Sequence, residues 1–95
     1  MTKADLVSKI TDKTGVEKIA VQATVESLMT TIIDAMESGE NVYLRGFGSF
    51  VIKKRAEKTG RDISKNTTLI IPEHFVPTFK PAKNFVNDVK NKLKK

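Results

Sequence analysis

Residues 53–71 read KKRAEKTGRDISKNTTLII, and their reading decides the architecture. Lys53, Lys54, Arg55, Lys58, Arg61 and Lys65 are basic, against two acids, Glu57 and Asp62. Between residues 53 and 68 the one large apolar side chain is Ile63. A tract with so few apolar groups and so many charges cannot bury itself in a core. If ordered, it is a β-ribbon standing out from a body. Thr67, Leu69 and Ile71 alternate with Thr68 and Ile70 on the returning limb, which is the period-two pattern of a strand. Gly60, Asp62, Ser64 and Asn66 supply turn residues between the limbs. An extended limb over residues 53–63 spans roughly 33 Å at about 3.3 Å per residue, long enough to follow a groove of a duplex. The charges of such a ribbon suit phosphates, and an apolar tip suits insertion between bases.

The flanking segments predict the body that carries the ribbon. Val42 and Leu44 alternate with Tyr43 and Arg45, and RGFGSF follows at residues 45–50. Gly46 and Gly48 flank Phe47, which predicts a tight turn or a close backbone approach with an aromatic anchor. Phe50 and Ile52 continue one face of a second strand, with Val51 and Lys53 on the other. Beyond the ribbon, PEHFVPTFKP at residues 72–81 alternates Phe75, Pro77 and Phe79 with Val76 and Thr78. Proline inside a strand marks an edge or an end. Phe47, Phe50 and Phe79 could stack bases, but their alternation with polar residues predicts core packing instead.

Helices precede and follow the sheet. Thr2 and Asp5 have capping-box spacing, Leu6, Val7 and Ile10 form an apolar stripe, and Gly15 ends a first helix near Thr14. A longer helix over residues 17–38 carries Val21, Val25, Leu28, Met29, Ile32, Ile33 and Met36, with Gly39 at its end. That set is wider than one stripe, so more than one surface must cover it, and in so short a chain the second cover is another subunit. A last helix is expected to begin near Pro81, with Phe85, Val86, Val89 and Leu93 on one face and lysines on the other. The expected class is α+β: two helices, a three-stranded antiparallel sheet with an extended ribbon, and a C-terminal helix. One domain spans 1–95, with a helical dimerisation part at 1–40, sheet and arm at 41–81 (the arm about 53–71), and the last helix at 82–95.

A domain of 95 residues is marginal as a monomer, and oligomerisation is the usual remedy. Cysteine is absent, which excludes disulfides and Cys-based zinc sites. No apolar run is long enough for a membrane span and residues 1–10 lack a signal-peptide core, so a cytoplasmic or nucleoid location is expected. The net charge of +6 is unevenly spread. Residues 1–44 hold four basic and seven acidic groups, a net −3, and residues 45–95 hold thirteen and four, a net +9. A basic half on a near-neutral scaffold predicts an anionic polymer as partner. His74 is the only histidine and reads as a surface or edge residue. No nucleophile has a base in a recognisable motif, so catalysis, metals, cofactors and small-molecule substrates are not expected.

Three motifs in this order carry a resemblance: RGFGSF at 45–50, the Arg-Ala-x-x-Thr-Gly-Arg run at 55–61, and VPTFKPAK at 76–83. Together they resemble the bacterial histone-like HU and integration host factor family over nearly the whole chain. The resemblance implies an intertwined homodimer, or a heterodimer with a paralogue, whose two β-arms wrap the minor groove of bent DNA. The use of an inserted wedge is general to that family. The family's arm tip usually reads Gly-Arg-Asn-Pro; here it is Gly60, Arg61, Asp62 and Ile63, so the wedge falls on Ile63. Expected arm contacts are Lys53, Arg55, Lys58, Arg61, Ile63 and Lys65, with Arg61 placed for a narrow minor groove. Expected body contacts are Lys3, Lys80 and Lys83, and the structural residues are Gly46, Phe47, Gly48, Phe50 and Phe79. The expected function is non-sequence-specific binding and bending of double-stranded DNA, with preference for bent or distorted duplex. A site-specific cofactor of the same family and, from a different class, a protein–protein assembly module pairing by strand addition are the alternatives; RNA is a lesser one.

Overall fold

The structure, a computed structural model, describes residues 1–62 and 67–94; of Arg61, Asp62 and Thr67 it describes the backbone only. The chain forms two compact units, Met1–Ala35 and Met36–Lys95.

In the first unit, α1 (Lys3–Thr14) starts on a complete capping box. The Thr2 hydroxyl accepts the Asp5 N–H, and the Asp5 carboxylate accepts the Thr2 N–H at 2.8 Å. Two backbone donors that no helical carbonyl could reach are thereby satisfied. Thr2 is the N-cap, and the helical residues begin at Lys3. Gly15 closes the helix, its N–H donating to the Thr11 carbonyl. Helix α2 (Lys18–Glu37) follows and runs on past the end of this unit. Val7 on α1 and Val21 on α2 are buried. Leu6, Ile19, Leu28, Met29 and Ile33 stay exposed, Leu28 at 51% and Ile33 at 53%. Much of the broad apolar surface read in α2 is thus left exposed by the described residues.

The second unit holds β1 (Val42–Leu44), β2 (Gly48–Arg55), β3 (Lys58–Asp62), β4 (Thr67–Ile71), β5 (His74–Pro81) and α3 (Lys83–Lys92). A three-stranded antiparallel sheet has the order β1-β2-β5, and β3 and β4 form a separate two-stranded antiparallel ribbon. Strand β5 lies at the sheet edge, which is where Pro77 is tolerated. Its partner, Ile52, sends its N–H the other way, to the Asn41 side chain at 3.0 Å. The Ile52/Pro77 pair is therefore a non-hydrogen-bonded one, and the missing N–H of Pro77 interrupts nothing.

The ribbon does not run unbroken from residue 53. Regular pairing stops after Arg55 and resumes at Lys58, and on the other limb it stops at Ile71 and resumes at His74. Pro72 stands in the second gap with a fixed φ and no N–H, so it cannot continue a ladder. The expected limb is thus divided: residues 53–55 belong to the body sheet, and the ribbon proper begins at Lys58. Helix α3 also starts later than expected. Pro81 closes β5, paired with Gly48, and Ala82 is the N-cap. The Ala82 N–H donates to the Phe47 carbonyl at 2.8 Å and the Asn84 amide to the Gly46 carbonyl at 2.9 Å, so the 45–47 turn fixes where the helix begins.

Candidate nucleic-acid interface

Residues paired across antiparallel strands project to the same side, so the register sorts the sheet into two faces. One carries Val42, Leu44, Phe50, Ile52, Phe75, Pro77 and Phe79. Phe79 is the hub of this apolar face. Its ring centroid lies 4.9 Å from Phe50 and 5.2 Å from Phe47, and Phe47 stacks on Phe85 of α3 at 5.5 Å. Such spacing is that of packed aromatic pairs, so Phe47, Phe50, Phe79 and Phe85 form one aromatic cluster.

The opposite face carries Tyr43, Ser49, Val51, Lys53, Arg55, His74, Val76, Thr78 and Lys80. Successive rows pair Ser49 with Lys80, Val51 with Thr78, Lys53 with Val76, and Arg55 with His74. The rows are about 7 Å apart, two residues of strand. Lys80, Lys53 and Arg55 therefore lie in file along one side of the sheet, all exposed. At one end of the file, an open cleft brings Arg45 and Ser49 beside Lys80. At the other end, Lys58 lines a cleft with Arg55 and His74 where the ribbon begins. Lys54 projects to the other face, where Glu73 holds it at 3.1 Å.

The remaining expected contacts are placed as follows. Lys83 is the exposed first residue of α3, an unfavourable position for a cation with respect to the helix dipole. Helix stability therefore gives no reason for it, whereas a bound anion would. Lys3 is ion-paired with Glu26 at 2.8 Å in the first unit. That hydrogen bond, with a second from Gln22, holds the Glu26 carboxyl below the usual carboxylate range. The Arg61 backbone pairs with Thr68 in the ribbon. Ile63 and Lys65, with the wedge expectation, lie outside the described residues. Sequence reasoning missed His74, Ser49 and Arg45 as neighbours of the basic file. His74 has the same strand parity as Lys80, a signal that became usable only once the register was known.

A body sheet with one cationic face, extended by a β-ribbon, defines a protein built to meet the backbone of a nucleic acid. Comparison with known proteins narrows this class. The family model described as bacterial DNA-binding protein matches residues 1–90. The SPbeta prophage-derived DNA-binding protein HU 2 of Bacillus subtilis is 39% identical over 92 residues, 97% of this chain and all of that one. The integration host factor subunit beta of Marinobacter nauticus is 35% identical, covering all of this chain and 98% of its own. The HU of an Anabaena HU–DNA cocrystal superposes with a TM-score of 0.89 at 37% identity, over 94% of this chain and 97% of that one. The chain belongs to the bacterial DNA-binding protein family, whose members are architectural proteins: it is a DNA-binding protein with the HU fold.

Proposed function

We propose that the chain works as a dimer that bends double-stranded DNA with little regard to sequence. The duplex lies across the cationic sheet face, and one ribbon from each subunit enters the minor groove. The observation that carries this reading is the file of Lys80, Lys53 and Arg55, continued by Lys58 into the ribbon. Lysines and arginines spaced along a strand meet phosphates, and phosphate contacts set affinity and orientation while carrying no sequence information. The likeness to an HU seen with DNA supports the same partner here. Dimerisation is supported by the apolar surface left open within the chain: Leu28 and Ile33 on α2, and Val86 and Val89 on α3. The partner copy is identical or a paralogue, as the likeness to an integration host factor subunit allows. No described helix is long and apolar enough to cross a membrane; the place of action is the cytoplasmic nucleoid.

In this reading Arg61 is the minor-groove contact and Ile63 the wedge. Ile63→Ala is expected to reduce bending, measured by energy transfer between dyes on the two duplex ends, while leaving affinity for an already kinked duplex nearly intact. Equal losses on straight and kinked duplex would remove the wedge role. Arg61→Glu is expected to weaken binding to every sequence tested. A loss confined to one sequence would favour a site-specific cofactor in place of a general bending protein.

A further inference from the structure

His74 has a fixed ring and a charged neighbourhood that its reading as an edge residue does not explain. Its Nδ1 lies 2.9 Å from the Pro72 carbonyl oxygen. A carbonyl only accepts, so Nδ1 carries the proton and donates it there. The tautomer of the neutral ring is thereby set, and its Nε2 presents a lone pair. Across the strands His74 is paired with Arg55 on the cationic face. The ring also lines an open cleft with Lys54, Arg55, Ala56, Lys58 and Ile71 where the ribbon leaves the body. The charged groups around it are Arg55 from β2, Lys58 from β3, and Lys54 with its partner Glu73. Glu73 is engaged by Lys54, so the balance of the cleft is cationic.

We infer that His74 is a proton-gated contact to a DNA backbone phosphate at the base of the ribbon, made together with Arg55 and Lys58. The inference rests on the DNA-binding reading above and adds a pH-dependent contact to it. With Nδ1 committed to Pro72, the neutral ring offers a phosphate oxygen only an acceptor. The cationic ring offers Nε2–H as a donor together with a positive charge. A phosphate among these cations favours the charged ring, so DNA binding takes up a proton here and tightens as the solution becomes more acidic.

The test uses the full-length protein and its His74→Gln variant with a dye-labelled duplex, at about pH 8 and about pH 5.5, over a salt series. His74 is exposed, so the variant is expected to fold, which circular dichroism checks. The unsubstituted protein should gain about three- to tenfold more affinity than His74→Gln on acidification, the net worth of one hydrogen bond at an exposed site. Its log–log salt slope should also steepen by about 0.9 for each ring engaged, with no such change in the variant. Salt-dependent binding with the same pH response in both proteins would overturn the His74 contact and leave the DNA reading standing. No salt-dependent binding by either at either pH would overturn both.

Discussion

Gly46 and Gly48 stand two residues apart and are needed for unrelated reasons. Gly46 has φ 82° in the turn that Phe47 N–H closes onto the Leu44 carbonyl, and its surroundings are open. Gly48 has an ordinary backbone, but a Cβ there would sit 2.5 Å from the Phe79 ring and 2.6 Å from the Lys80 carbonyl oxygen. Gly46→Ala is therefore expected to lower stability by about 1 kcal/mol, from left-handed strain alone. Gly48→Ala should lower it by about 1–3 kcal/mol, because an aromatic hub and a paired strand must both move. Urea unfolding at one fixed protein concentration checks the order; an undiminished midpoint for Gly48→Ala would contradict the close approach. The sequence RGFGSF suggests a tight turn or a close approach; that the motif makes both, and which glycine serves which, is not legible in it. Phe79 and Lys80 lie some thirty residues further on, and only the register brings them there. His74 was obscured for the same reason.

The helices and strands were legible where local chemistry decides them. Thr2, Asp5 and Gly15 bound α1 through hydrogen bonds within a few residues, and the alternation of β2, β4 and β5 is read directly from side-chain types. Boundaries set by tertiary contact were not legible. Pro81 looks like the first residue of a helix, yet the sheet claims it, and the Phe47 and Gly46 carbonyls set the start of α3. Lys53 and Arg55 look continuous with the ribbon, yet β5 pairs with them up to His74. At this scale the tie between α1 and α2 gives a pH prediction. The Glu26 carboxyl is held below its ordinary range by Lys3. Its contribution to stability is therefore present above the ordinary carboxylate range and lost as pH falls through that range and on through the depressed value. The unfolding midpoints of the parent protein and Glu26→Gln should differ near neutrality and converge in acid. A gap that persists unchanged into acid would contradict it.

For the whole molecule, the decisive property is what the chain leaves uncovered. The buried apolar side chains among the described residues are Val7 and Val21, while large apolar groups on α2, β5 and α3 remain open. A domain of this size needs a larger core than that, and a second copy would supply it. The unfolding temperature should accordingly rise with protein concentration, as it does when folding and association are one process. A midpoint independent of concentration, with a monomeric mass by light scattering, would contradict the dimer. The uneven charge, −3 over residues 1–44 and +9 over residues 45–95, adds the other half of the design: a mildly acidic part that holds α1 and α2, and a cationic part that holds β2, β5, the ribbon and α3. The measurement that tests DNA bending most directly is affinity for a straight duplex and for the same duplex carrying a nick or mismatched bases, over a salt series. A DNA-bending dimer predicts a steep fall with salt, about 0.9 in log–log slope for each phosphate contacted, and a strong preference for the kinked duplex, whose deformation is already made. Binding that is insensitive to salt, or equal on the two duplexes, would contradict it.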